Sequence, residues 1–345
     1  MCFSIFSGMK TTLLFLSVCL STTLFGQNVN IPDANLKAYL VGNPEINTNG
    51  DSEIQISEAK EYDGEINCEE KDIYILTGIE AFISIWHLNC SMNYLTEIDL
   101  SKNKELIMLN CGGNNLKQLD VSQNESLEML ECGGNELGEL DLTKNEKIEW
   151  VGCSYNKLNY LNLSNNINLS SLTCSKNEIS ELDFSENIYL ESLWCSNNNL
   201  TRLNLTKNYK LKELKCANNN LKQLDVTNNL VLTKLVSNSN GDTTLNVSKN
   251  IALTELECYM SGLSKLDVSN NKNLVKLHCY LNLITELNLT NNKVLSDLHC
   301  EFNDLKSLDV SLNTDLIELN CNENPIDCVI GATEQCNLEG AKRCD

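Results

Sequence analysis

The residues best equipped for chemistry in this 345-residue chain are its 17 cysteines, its 3 histidines and a surplus of carboxylates. Eleven of the cysteines fall on a lattice of 21, at 90, 111, 132, 153, 174, 195, 216, 258, 279, 300 and 321, with Ser237 filling the single gap. Thiols can bridge, hold metal or carry redox chemistry. One constant spacing argues against all three. Thiols repeated in stacked strands stand side by side instead of converging to the roughly 3.8 Å Cβ separation of a disulfide, and a straight row cannot enclose a tetrahedral ion. They read as small buried hydrophobes. Cys328, Cys336 and Cys344 lie beyond the lattice, where two of the three can bridge, with the pairing left open.

Hard oxygen donors cluster once. Asn47, Asn49, Asp51, Glu53, Gln55 and Glu58 occupy positions 1, 3, 5, 7, 9 and 12 of a calcium loop, with apolar Ile54 at position 8. Position 7 of such a loop donates a backbone carbonyl, and Glu58 would supply the bidentate pair. Ser52 stands where Gly is usual, Asn replaces Asp at two positions, and Pro44 interrupts the approach from a helix expected over Asp33–Val41. The loop resembles a single EF-hand or dockerin-type site, which implies one weakly held Ca²⁺. The alternative is an Asn-Gly-Asp turn leading into a helix.

Two further sets invite chemistry. Asp99, Asp120 and then Asp141, Asn162, Asp183, Asn204, Asp225, Asn246, Asp267, Asn288 and Asp309 form one column. Like charges on adjacent strands repel, so alternation with Asn doubles the charge spacing and offers amide donors to the carboxylates above and below. A uniform column without a partner base is structural rather than catalytic. His278 and His299 share another column beside Glu257, a pair able to hold a transition metal but with few further ligands. The motifs G-x-x-x-x-G-K-[ST], H-E-x-x-H and G-x-S-x-G are absent. No enzyme is expected.

These residues are positioned by repetition. Asn follows three residues after most lattice points, Asn93 to Asn324 with Ser261 the exception, and a second Asn column runs unbroken from Asn103 to Asn313. Between them recur Leu116, Leu119, Val121, Leu127 and Leu130 and their equivalents. The unit reads L-x-C-x-x-N-x-L-x-x-L-D-L-S-x-N-x-x-L-x-x. Leu109-x-Cys111 and Leu119-x-Val121 alternate, which predicts two short strands per coil. Neither buries its face alone, so coils must stack about 4.8 Å apart into one parallel core. At this point the chain resembles a leucine-rich-repeat protein, of the 21-residue nested LxxLxCxxNxLxxLDLxxNxx class found in exported Bacteroidetes proteins. The resemblance covers roughly 66–326 and implies a curved, mostly β solenoid that presents one strand face for recognition.

The domains follow. Residues 1–26 read as a signal peptide, with Lys10 before the apolar run Leu13–Leu20 and an end, Leu-Phe-Gly-Gln, that resembles Bacteroidetes export signals. Residues 27–65 form a small helical cap with the EF-hand-like loop, 66–324 about 13 coils, and 325–345 a C-terminal cap. The protein is expected to be exported, whether secreted, periplasmic or at the cell surface, with no transmembrane segment. A net charge of −21 excludes nucleic acid. The 51 Asn, by contrast, mark a repetitive scaffold. Asp242, in place of an inward Leu, predicts a surface bulge.

Recognition should use the varying positions around the Cys strand. Tyr259, Met260, His278, Tyr280, Leu281, His299 and Phe302 form a contiguous group over three coils, and Trp150, Tyr155 and Trp194 a sparser one. A protein or glycan ligand on this face is the first reading. The alternative is a structural or adhesive surface component without a defined partner.

Overall fold

The computed structural model describes residues 27–333, 337–339 and 341–344. The signal-peptide segment and Cys336 lie outside them. One strand of three residues recurs per coil, from Glu65–Asn67 through Asn337–Glu339, and together these build a 14-stranded all-parallel sheet in sequence order. Register follows the repeat: Leu109 faces Leu130, Leu130 faces Val151, and Leu277 faces Leu298. The middle residue of each strand and the Cys after it point inward, so Leu and Cys rows form one continuous core. Each buried Leu contributes about 1.5–3 kcal/mol relative to exposure. The solenoid of about 13 coils is therefore as the repeat demands.

Eleven described cysteines, Cys68 to Cys300, are free and buried, and Cys321 is buried in the same row. Burial pushes the thiols of Cys111, Cys216 and Cys279 up to about 12, and burial, then the repulsion of a neighbouring thiol, also raises those of Cys153 and Cys174. These thiols are inert.

The two Asn columns are amide clamps with different jobs. Asn177 Nδ2 donates to the carbonyls of Cys153 and Cys174 at 3.0 and 3.1 Å, while its Oδ1 accepts the Leu158 N–H at 2.9 Å. Asn166 Nδ2 donates to Leu142 and Asn145 carbonyls at 3.1 and 2.9 Å, but its buried Oδ1 has no partner. The same pattern recurs coil after coil.

The second run of each coil departs from expectation. It pairs as strand only at Leu308–Asp309, inside a three-stranded C-terminal sheet, and as a single bridge between Asp183 and Asn204. The Asp/Asn column bonds its own backbone, both where the run pairs and where it does not. Asp120 Oδ1 accepts the Ser122 N–H at 2.9 Å, Asp141 that of Thr143, and Asn162 that of Ser164, so the backbone donor two residues on is spent locally. Asn and Asp thus play one role here, in place of the expected amide-to-carboxylate bonding between coils. The bulge expected at Asp242 is also absent. Asp242 stays buried, its carboxylate accepting N–H groups of Leu224 and Thr244 at 3.0 Å each, and the sheet continues in register beside it.

Both caps close apolar ends. Helix Ala34–Val41 starts at Asp33, whose Oδ1 accepts from Asn35 and Leu36, and whose Oδ2 accepts from Tyr74 and Ile75 of the first coil. Burial raises this carboxyl, yet the four backbone donors outweigh it and leave the pKa lowered. At the other end Cys328 pairs with Cys344, Cα atoms 5.1 Å apart, which resolves the open pairing.

Candidate functional site

Four side-chain columns surround the buried Cys row on the open face of the sheet. Three residues before each Cys runs His87, Met108, Met129, Trp150, Ser171, Ser192, Glu213, Lys234, Glu255, Lys276, Asp297 and Glu318. One residue before it stand Trp194, Glu257, His278 and His299 among others. Tyr259 and Tyr280 follow the Cys directly. Met260, Leu281, Phe302 and Tyr155 lie one step further, at the turn instead of on the strand, each with φ between 53 and 57°.

That turn column has a physical cost. Left-handed backbone suits Gly and Asn, and Gly113, Gly134, Asn197 and Asn218 occupy it in other coils. Bulky apolar residues there store of order 1–3 kcal/mol apiece. Met260, Leu281 and Phe302 are about half exposed, in three successive coils. The rings of Tyr259 and Tyr280 stack between them and the strands, centroids 4.2 Å apart and planes 9° apart. Burial, then the neighbouring Tyr259, pushes the Tyr280 hydroxyl up to about 12. The C-terminal group therefore forms one patch: stacked phenols, an apolar rim and, on the strands, the His278 and His299 rings with centroids 4.4 Å apart.

The earlier group is dispersed. Trp150 and Trp194 sit two coils and one column apart. Lys215 lies over the Trp194 ring at 3.4 Å, and Lys176 lies over Tyr155 at 4.2 Å while donating to its hydroxyl. Trp150 has other company that sequence reading passed over. Met108, Met129 and Trp150 are in direct register, an apolar stripe visible in advance in the residues three before Cys111, Cys132 and Cys153. A second missed pair is Tyr74 and Tyr94, stacked at 4.8 Å near the N-terminal end.

The candidate calcium donors fold around themselves. Glu58 Oε1 accepts from the Thr48 N–H and hydroxyl and the Asn49 N–H, and Oε2 accepts from the Gln55 N–H, in the capping box of helix Ile56–Glu61. Asp51 accepts from Glu53 and Gln55, Asn49 Oδ1 from the Asp51 N–H, and Glu53 pairs with Lys37 at 2.6 Å. Asn47 differs: its Nδ2 donates to Val41 and Asp51 carbonyls, but its buried Oδ1 has no partner. An orphaned hard oxygen at position 1 of the loop fits a cation ligand.

A shallow concavity of about 550 Å³ lies away from the sheet, lined by Asp120, Asp141 and Tyr160 among others. Its carboxylates belong to the Asp/Asn column and are committed to their own backbone. No helix among the described residues is long and apolar enough to cross a membrane.

No protein-family model and no curated protein matches the chain. Solved structures do. The functional domain of InlJ from Listeria monocytogenes is 31% identical over 88% of this chain and 77% of that one, with a TM-score of 0.68. That domain is described as including a cysteine ladder, the arrangement the buried thiols take here. The internalin InlF from Listeria monocytogenes superposes with a TM-score of 0.74 at 16% identity, covering 94% of this chain and 95% of that one. FLRT2, present as its leucine-rich-repeat part in an octameric complex with Latrophilin 3 and Unc5D, reaches 0.59 at 20% identity over 71% and 87%. The last two likenesses concern the fold.

Proposed function

We propose that this chain, which belongs to the leucine-rich-repeat proteins, is an exported, non-enzymatic recognition scaffold whose C-terminal strand face and its turn rim hold a protein or glycan ligand. One observation carries the reading: Met260, Leu281 and Phe302 keep large apolar side chains exposed at backbone positions that penalise them, beside a stacked Tyr pair. Folding alone would favour Asn or Gly there. The partner-bound state of a leucine-rich-repeat relative such as FLRT2 supports a macromolecular ligand, and an apolar, aromatic-rich patch set in an acidic surface suits a protein with a complementary apolar and basic face.

The test exploits the turn column. Met260→Asn, Leu281→Asn and Phe302→Asn together should fold at least as stably as the parent, because Asn already serves at 197 and 218, while a partner recovered from surface and medium extracts is lost. Equal recovery by parent and variant, or none by either, rejects this placement.

At the N-terminal cap we propose one weakly bound Ca²⁺ held by Asn47, Asn49, Asp51, the Glu53 carbonyl and Glu58. The loop spacing and the orphaned Asn47 Oδ1 support it. Millimolar Ca²⁺ should raise the melting temperature of the parent and not of Asp51→Asn. An identical response in both, or none, removes the proposal.

A further inference from the structure

His278, Asp297 and His299 each offer a ligand atom, and these atoms lie within 4.8 Å of one another. We propose that they form a binding site for a divalent transition ion of the Zn²⁺ class, with Glu318 as a further ligand.

The fold brings them together. Asp297 and His299 are two apart on strand Asp297–His299 and so project from the same face; His278 is the register partner of His299 on the preceding strand, and Glu318 that of Asp297 on the following one. His278 Nε2 lies 3.1 Å from both Asp297 oxygens, His299 Nε2 lies 3.4 Å from Asp297 Oδ1 and 3.3 Å from Glu318 Oε1. Four ligands around an ion at about 2.0–2.1 Å must sit about 3.3 Å from one another. Three of the donor separations, 3.1, 3.4 and 3.3 Å, therefore already match edges of a tetrahedral shell, and the ligand atoms of His278, Asp297 and His299 all lie within 4.8 Å of one another. Two imidazoles with carboxylates are also the ligand chemistry that borderline divalent ions prefer.

A carboxylate stands near enough to give outer support, short of a hydrogen bond. Metal-bound imidazoles direct their second nitrogen to a carboxylate, and His299 Nδ1 lies 3.8 Å from Oε1 of the buried Glu301, whose Oε2 has no hydrogen-bond partner. Lys276, the register partner of Asp297, is instead engaged by Glu257 at 2.8 Å, so its ammonium does not compete for the site. Side-chain exposures of 15, 29 and 23% for His278, Asp297 and His299 leave a path for an ion from solvent.

The experiment is a Zn²⁺ titration by calorimetry on the untagged, reduced full chain, with Co²⁺ absorption as a report on coordination geometry. One Zn²⁺ per chain is expected. His278→Ala and His299→Ala should each weaken it by at least about tenfold, Glu301→Gln by about tenfold as an outer partner, and His87→Ala, at the far end of the sheet, not at all. Circular dichroism verifies that the variants keep the fold. Stoichiometric binding that survives in the His278→Ala/His299→Ala double variant, binding lost in His87→Ala, or a parent that binds no better than the double variant overturns the proposal.

Discussion

The two Asn columns look equivalent in sequence, yet their hydrogen bonds make them unequal, and one pair of substitutions separates them. In Asn177→Ala the N–H of buried Leu158 loses its only acceptor in the clamp, Asn177 Oδ1. An orphaned buried donor costs about 1–3 kcal/mol. The carbonyls of Cys153 and Cys174 each lose one amide but keep another, from Asn156 and Asn198, a further net loss of about 1 kcal/mol apiece. The sum is about 3–5 kcal/mol. In Asn166→Ala the carbonyls of Leu142 and Asn145 retain the N–H groups of Asn145 and Ile148, and the departing Oδ1 was itself unpartnered. About 2 kcal/mol of hydrogen bonding goes, offset by removing a buried unsatisfied oxygen, for a net cost of about 1–2 kcal/mol. Asn177→Ala should therefore be the more damaging by roughly 2 kcal/mol. Because stacked repeats can unfold in parts, the assay is native-state hydrogen exchange read at the Leu158 amide and in the flanking coils, beside urea midpoints. Equal or reversed costs would refute the orphaned-donor accounting.

Other outcomes follow from the interior and the caps. In native, reduced protein, alkylation mapped by mass spectrometry at pH 8 should leave Cys68 and the lattice thiols from Cys90 to Cys300 unmodified until urea is added, since burial raises each of these; ready labelling of Cys153 or Cys174 in the native state would count against the packed row. The carboxyls of Asp99, Asp120, Asp141, Asp225, Asp267 and Asp309 are lowered, in most of them chiefly by the N–H and hydroxyl of the Ser or Thr two residues on. A depressed folded pKa contributes stability above the unfolded value, about 3.9, and loses it as pH falls through the folded one. Melting temperature should thus drop below about pH 4, and less so in Asp120→Asn plus Asp141→Asn, whose amides can accept the same backbone donors, as Asn162 and Asn204 do. An unchanged pH profile in that variant would refute the assignment. Reduction of Cys328–Cys344 should increase exchange in the terminal strands while amides of the middle coils stay protected; collapse of the whole sheet would contradict nearest-neighbour stability.

Much of this architecture was legible because the period is strict. Thirteen coils, inward Cys and the one-strand face follow from a 21-residue lattice in which each column is a single structural position. The lack of pairing along most of the second run was not legible, because alternation in Leu119-x-Val121 says which residues point inward but not whether neighbouring backbones meet in hydrogen-bonding register. Asp242 misled for a related reason: its type signals exposure, whereas two backbone donors make its burial tolerable. The recognition residues were found as a group, but their division between strand and turn depends on a left-handed φ that no side-chain pattern announces in Leu281 or Phe302. Met108 and Met129 were readable on the same lattice as Trp150. The convergence of Asp297 on two imidazoles needed the parallel register, which pairs it with Lys276 and sets it diagonally to His278.

The all-parallel sheet of three-residue strands also determines how the molecule answers force. Each strand's hydrogen bonds lie along the stack, so tension applied between the two ends loads them as a zipper, one coil at a time, rather than shearing many together. A coil of 21 residues that leaves the stack releases about 70 Å of extended chain in exchange for about 4.8 Å of height. A tether built this way would lengthen in equal steps, and would yield first at an end, where a coil has a stacking neighbour on one side only.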